Sequence, residues 1–190
     1  MDWKKEAKSW GIMAAIVAFL YFTGLLPVIT GGIQSVLLST GLIKPNIEIP
    51  DLKEDNFDYR GQFVDFDGNI IDLKDYKGKT LFINLWATWC GPCRAEMPHI
   101  SELYKSVESD PNVEFLMIGL DNDIEKSRKF LNGKSWTFPT AHASYGLNRS
   151  LQSEAIPTTL VINPEGKIVF YQQGMSNFNT PEFRDFLISQ

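Results

Sequence analysis

The stretch Thr80–Pro98, TLFINLWATWCGPCRAEMP, decides how the chain folds. Its first seven residues, Thr80–Trp86, form an almost wholly apolar run, the pattern of a strand buried on both faces. A helix is expected from about Pro92 to Ser109, because Pro92 suits a first turn, where no N–H is needed. Both cysteines of the chain, Cys90 and Cys93, fall at this strand–helix junction. A thiol there sees unpaired backbone N–H groups and the positive end of the helix dipole. These favour the thiolate, so Cys90 is the expected nucleophile. Cys93, one turn on, is placed to attack a mixed disulfide and release the partner reduced.

Working outward, Gln62–Phe66 and Asn69–Leu73 flank Asp67-Gly68, a hairpin signal. Val113–Leu120 reads as a second buried strand, and Asp123 as the cap of a helix ending near Asn132-Gly133. Phe138–Ala143 is expected to be a short strand and Tyr145–Leu151 a short helix. Thr158–Asn163 and Lys167–Gln172 form a hairpin around Pro164-Glu165-Gly166, and Thr180-Pro181 opens a last helix. Strands alternating with helices and ending in a hairpin and helix predict a three-layer α/β/α sandwich around a mixed sheet.

The 190 residues have a net charge of −5, and no basic tract is present, which argues against a nucleic-acid partner. Two cysteines exclude a disulfide-stapled scaffold. The charge is unevenly spread: four lysines against Asp2 and Glu6 give residues 1–44 +2, leaving −7 for residues 45–190. No charge falls between Ser9 and Ile43. Trp10–Ile29 would span about 30 Å as a helix, which matches a bilayer core. Residues 1–43 are therefore read as an N-terminal membrane anchor, with a transmembrane helix at about 10–29 and an interfacial helix at 33–43 after Gly31-Gly32. A cleaved signal peptide is the alternative, but the run is long and lacks an A-x-A site. Lys4, Lys5 and Lys8 put the N-terminus in the cytoplasm and the remainder outside. Residues 44–56, with Pro45 and Pro50, read as a linker, and 57–190 as the folded domain.

On the helix after the cysteines, Met97, Ile100, Leu103, Tyr104 and Val107 share one stripe with Cys93. Glu96 falls inside that stripe, ~60° from Cys93. A carboxylate on a buried face has two readings. It exchanges a proton with Cys93, its pKa raised by burial, or it sits at the stripe edge paired with a surface Lys or Arg. Pro98 is expected to kink the helix, His99 to be solvated, Arg94 to be a solvated charge and Trp86 to be core. A structural zinc half-site has too few partners, since only His99 and His142 accompany the cysteines.

The segment Phe82–Pro98 resembles the active-site segment of TlpA/ResA-like proteins, membrane-anchored thiol–disulfide oxidoreductases of the thioredoxin superfamily. The likeness extends from about Phe57 to the C-terminus and includes Asp75–Lys79 and Ile156-Pro157-Thr158-Thr159. It implies a thioredoxin-like fold and a proton-transfer role for Glu96. In thioredoxins proper a buried Asp serves instead, and the matching residue here is Asn84, which cannot titrate. It implies that Pro157 is the cis-proline of a loop facing the cysteines, where client backbone would pair beside Trp89, Gly91, Pro92 and Ile156. It implies no cofactor and no metal beyond the Cys90–Cys93 redox pair. The implied partners are disulfides of exported proteins, apocytochrome c among them, and a membrane thiol donor of the DsbD/CcdA kind in the inner membrane of a bacterium. Copper delivery of the Sco kind needs C-x-x-x-C rather than the C-x-x-C found here. A net disulfide oxidase would use the same residues in reverse. A peroxidase needs T-x-x-C, and Thr88 stands only two residues before Cys90.

Overall fold

The structure, a computed structural model, describes residues 3–23, 38, 40, 43–47 and 56–190. Helix α1 (Trp3–Phe22) is followed in the domain by β1 (Gln62–Val64), β2 (Ile70–Asp72), β3 (Thr80–Trp86), α2 (Gly91–Val107) and β4 (Val113–Gly119). Then come α3 (Ile124–Leu131), β5 (Thr140–His142), β6 (Thr158–Ile162), β7 (Ile168–Gln173) and α4 (Pro181–Ile188). The expected hairpin, buried strands and capped helices all form. Two single 3-10 turns, Leu73–Tyr76 and Arg149–Leu151, replace the end of the second hairpin strand and the short helix expected over Tyr145–Leu151.

The seven strands form one mixed sheet in the order β2-β1-β5-β4-β3-β6-β7. The buried run β3 lies inside it, parallel to β4 and antiparallel to β6. Its two-residue period divides the core. Phe82 and Trp86 join Phe115, Met117, Val161, Phe170, Phe178 and Phe183 beneath α2 and α4. Leu81, Ile83 and Leu85 join Leu116, Ile118, Leu160 and Ile162 on the opposite face, against Phe63, Leu73 and Leu151. A thioredoxin-like α/β fold results.

Helix α1 begins ahead of the expected span and takes in Lys4, Lys5, Glu6 and Lys8. Its apolar side chains Trp10, Ile12, Met13, Ile16, Val17 and Phe19 are exposed. Among the described residues no helix is long and apolar enough to cross a membrane. Residues 24–29 of the expected span, and most of the expected interfacial helix 33–43, lie outside the described residues. In the expected linker, Pro45 is buried and Ile47 packs against the aromatic side of the core.

Candidate active site

Strand β3 ends at Trp86 and delivers the chain through Ala87–Trp89 to α2. Cys90 is the N-cap of that helix, with extended backbone (φ −83°, ψ 104°), and its Sγ accepts the Cys93 N–H at 3.1 Å. Gly91 and Pro92 open the first turn, where the missing proline N–H costs nothing. Cys90 and Cys93 are joined in a disulfide with an S–S distance of 2.04 Å. Cys93 is fully enclosed and Cys90 lies at the edge of the cluster. The Ile156–Pro157 peptide bond is cis, and the Ile156 carbonyl oxygen lies 3.7 Å from the Cys90 Sγ. Ile156 touches both halves of the core, whereas Trp89 stands 65% exposed beside the pair.

Glu96, one turn beyond Cys93, is 0% exposed. Its Oε1 accepts from Asn84 Nδ2 at 2.7 Å and its Oε2 from the Ser176 backbone N–H at 3.2 Å. Asn84 shares the Phe82/Trp86 face by strand parity and stands opposite Thr159 in the register. Its Nδ2 also donates to Thr159 Oγ1 at 3.0 Å. Burial pushes the Glu96 carboxyl up to about 8, and the bonds from Asn84 and Ser176 act against that rise. The carboxyl therefore holds its proton well above the usual carboxylate range. The surface-pair reading of Glu96 is corrected: its partners are an amide and a backbone N–H in the core.

Two other readings need correction. His99 is half-buried rather than solvated, and its Nε2 has no partner among the described residues. Arg94 lies over the Phe130 ring at 5.0 Å, and desolvation lowers its pKa. Pro98 sits inside an unbroken α2.

Sequence reasoning missed the support of the loop before Cys90. The buried Asp121 carboxylate accepts from the Thr88 N–H at 3.0 Å, Thr88 Oγ1 at 2.6 Å and Ser127 Oγ at 2.8 Å. His142 Nε2 donates to the Asp121 carbonyl at 2.6 Å. Asp121 and Ser127 belong to no motif read from the sequence, and the meeting of the β4 end with the β3 end brings them to Thr88. Among the described residues no group of three or more His, Cys, Asp or Glu side chains could hold a metal ion.

The family model described as AhpC/TSA family matches residues 45–171. The chain belongs to that family. Within the AhpC/TSA family it is 33% identical over 138 residues to the thiol-disulfide oxidoreductase ResA of Oceanobacillus iheyensis, over 66% of this chain and 71% of the relative. It is 34% identical over 106 residues to ResA of Bacillus subtilis, over 55% of this chain and 59% of that one. Crystal structures share the fold at lower identity. One is a thioredoxin-family thiol:disulfide interchange protein from Chlorobium tepidum, at 23% identity and TM-score 0.61, covering 73% of this chain and 99% of that one. Another is StoA from Bacillus subtilis, at 23% identity and TM-score 0.56, covering 66% and 93%. Relatives and cysteine pair together make this AhpC/TSA member a ResA-like thiol–disulfide oxidoreductase.

Proposed function

We propose that the protein is a membrane-anchored, extracytoplasmic reductase of disulfides in exported proteins, with Glu96 as the proton carrier of the second thiol. One observation carries this reading: a fully buried carboxyl, titrating near 8, lies one turn from the enclosed cysteine of a redox pair. In the reduced protein the Cys90 thiolate attacks one sulfur of the client disulfide, forming a mixed disulfide and releasing one client thiolate. Cys93 then loses its proton to the Glu96 carboxylate and attacks the Cys90 sulfur. The second client thiolate leaves, and the Cys90–Cys93 disulfide remains. The client gains two electrons and the protein loses two, which a membrane thiol donor of the DsbD/CcdA kind restores. Trp89, Gly91, Pro92 and Ile156 form the surface around Cys90, and the backbone beside Pro157 offers the extended pairing a client segment needs.

The exposed apolar side chains of α1 and the lysines before them support anchoring with the domain outside the cytoplasm. Apocytochrome c fits as a client because its C-x-x-C-H must be reduced before haem attachment.

The reduction potential of the full-chain cysteine pair tests direction. A reductase is expected nearer thioredoxin's ~−270 mV than DsbA's ~−120 mV. A value at the DsbA end rejects the assignment. A periplasmic reporter enzyme fused after Gln190 should be active, and alkaline extraction should leave the chain in the membrane pellet. An inactive fusion or a soluble chain rejects the anchored topology.

A further inference from the structure

The loop between β7 and α4 holds three parts of the molecule at once. The Gly174 N–H donates to the Pro157 carbonyl at 2.8 Å, beside the cysteines. The Ser176 N–H donates to Glu96 Oε2 at 3.2 Å. The Asn177 N–H donates to the Ile43 carbonyl at 3.0 Å, and its Nδ2 to the Leu38 carbonyl at 3.1 Å. Asn177 Oδ1 accepts the Asn179 N–H at 3.0 Å. Below, the Phe178 ring meets Phe82, Phe170 and Phe183 edge-on or tilted, with centroids 5.6, 6.2 and 5.1 Å away.

Leu38 and Ile43 precede the family match, and Asn177 follows it. Yet Leu38 is fully buried, as is Ser176, and Asn177 is nearly so. The peptide units of Ser176 and Asn177 are consecutive and rigid. Their N–H groups are held by different acceptors, and only the two backbone dihedrals of Ser176 lie between the two peptide planes. The contact that docks the N-terminal segment therefore lies one residue from the N–H that donates to the carboxyl.

We propose that the segment carrying Leu38 and Ile43 acts through Asn177 and Ser176 to orient the donor on Glu96, making Leu38 and Asn177 positioning residues for the thiol–disulfide reaction. The proposal rests on Glu96 as the proton carrier. It adds that the end of the N-terminal segment, at Leu38 and Ile43, sets the pH range in which that carrier works. A buried N–H donating to a carboxylate favours the ionised form. When the segment is unseated, Ser176 N–H is less well aimed and the carboxyl becomes harder to ionise.

The test measures turnover against pH for the full chain, with dithiothreitol as reductant and insulin as the disulfide substrate. The limb that Glu96 contributes should move to higher pH by ~0.5–1 unit in Asn177→Ala, the worth of one net hydrogen bond. Turnover below the limb should fall about 3- to 10-fold. Leu38→Ala lies outside the matched domain and should give the same shift even if Asn177→Ala fails to fold. In a Glu96→Gln background the limb should be absent, and neither variant should change the profile. If Glu96→Gln removes the limb but Leu38→Ala leaves it in place, the coupling is overturned while the proton-carrier reading stands. If Glu96→Gln itself leaves the limb unchanged, both are overturned.

Discussion

The two faces of the central sheet are built from the same strands and do different work. On the face covered by Phe63, Leu73 and Leu151 the odd-numbered residues of β3, Leu81, Ile83 and Leu85, meet aliphatic neighbours from β4 and β6. Toward α2 the even-numbered residues Phe82 and Trp86 meet an aromatic cluster, and Asn84 between them meets Glu96 and Thr159. One face is closed chiefly by apolar packing. The other encloses a carboxyl, an amide and a sulfur pair. Burying a carboxyl opposes its ionised form, and the cost is partly offset by two donors.

The sharpest way to break this comparison is at Cys90. Cys90→Ser should reduce disulfide-reductase turnover to background while the thermal transition shows a folded domain. In Cys93→Ser, client protein should be trapped on Cys90, visible as a slower band on non-reducing gels. Trapping by Cys90→Ser instead would reverse the assignment of the two sulfurs.

Next in size is Glu96→Gln, which should slow turnover by roughly 10- to 10³-fold and remove one limb of the pH profile. The first alkylation of Cys90 in the reduced protein should change less than turnover does. Equal losses in both steps would mean the carboxyl serves Cys90 rather than Cys93.

Ile83→Ala, on the aliphatic face, should cost about 2–5 kcal/mol in denaturant unfolding. It should leave the position of the pH limb where it was, because Ile83 lies on the sheet face opposite the one that meets Glu96. Movement of the limb would dissolve the division of labour between the faces.

The same carboxyl sharpens the comparison through stability. Its pKa is raised in the fold, to about 8 from an ordinary value of 4.5. Between those pH values the folded state holds a proton that the unfolded chain has lost, so this group's contribution falls as pH rises. The Tm of oxidised Glu96→Gln, relative to the parent, should therefore climb from about pH 5 to pH 8. A constant difference would show that the carboxyl titrates normally. The smallest effect is expected at Trp89. Trp89→Ala should raise KM for a protein disulfide by about 3- to 30-fold, the worth of an aromatic contact, with stability changed by less than ~0.5 kcal/mol.

Much of the fold was legible because strand parity and helix caps are local signals. Thr80–Trp86 announced a central strand by its almost wholly apolar run, and Asp123 and Thr180 cap the helices they were expected to cap. Glu96 stood out because a charge within an apolar stripe is a conflict visible in one dimension. Its partners were not visible: Asn84 reaches it across 12 residues and Ser176 across 80. The backbone N–H of Ser176 carries no signature in its residue type. His99 was misread because helix angle alone says nothing of what else packs on that side. Lys44–Ile47 read as a linker because prolines and charges describe a chain without regular structure, and such a chain can still dock.

The position of β3 has a consequence for how the molecule is assembled. One side of this strand is covered by β4, but the other waits for β6, and the Asn84–Thr159 contact spans 75 residues of chain. Until β6 arrives, a seven-residue strand of wholly buried side chains has one open edge. A nascent or truncated chain ending after β5 would present that edge to its neighbours, and closing so long a loop is slow. Premature termination should therefore yield aggregates rather than a smaller domain, and the last 33 residues, from Thr158 to Gln190, act as the seal on the sheet.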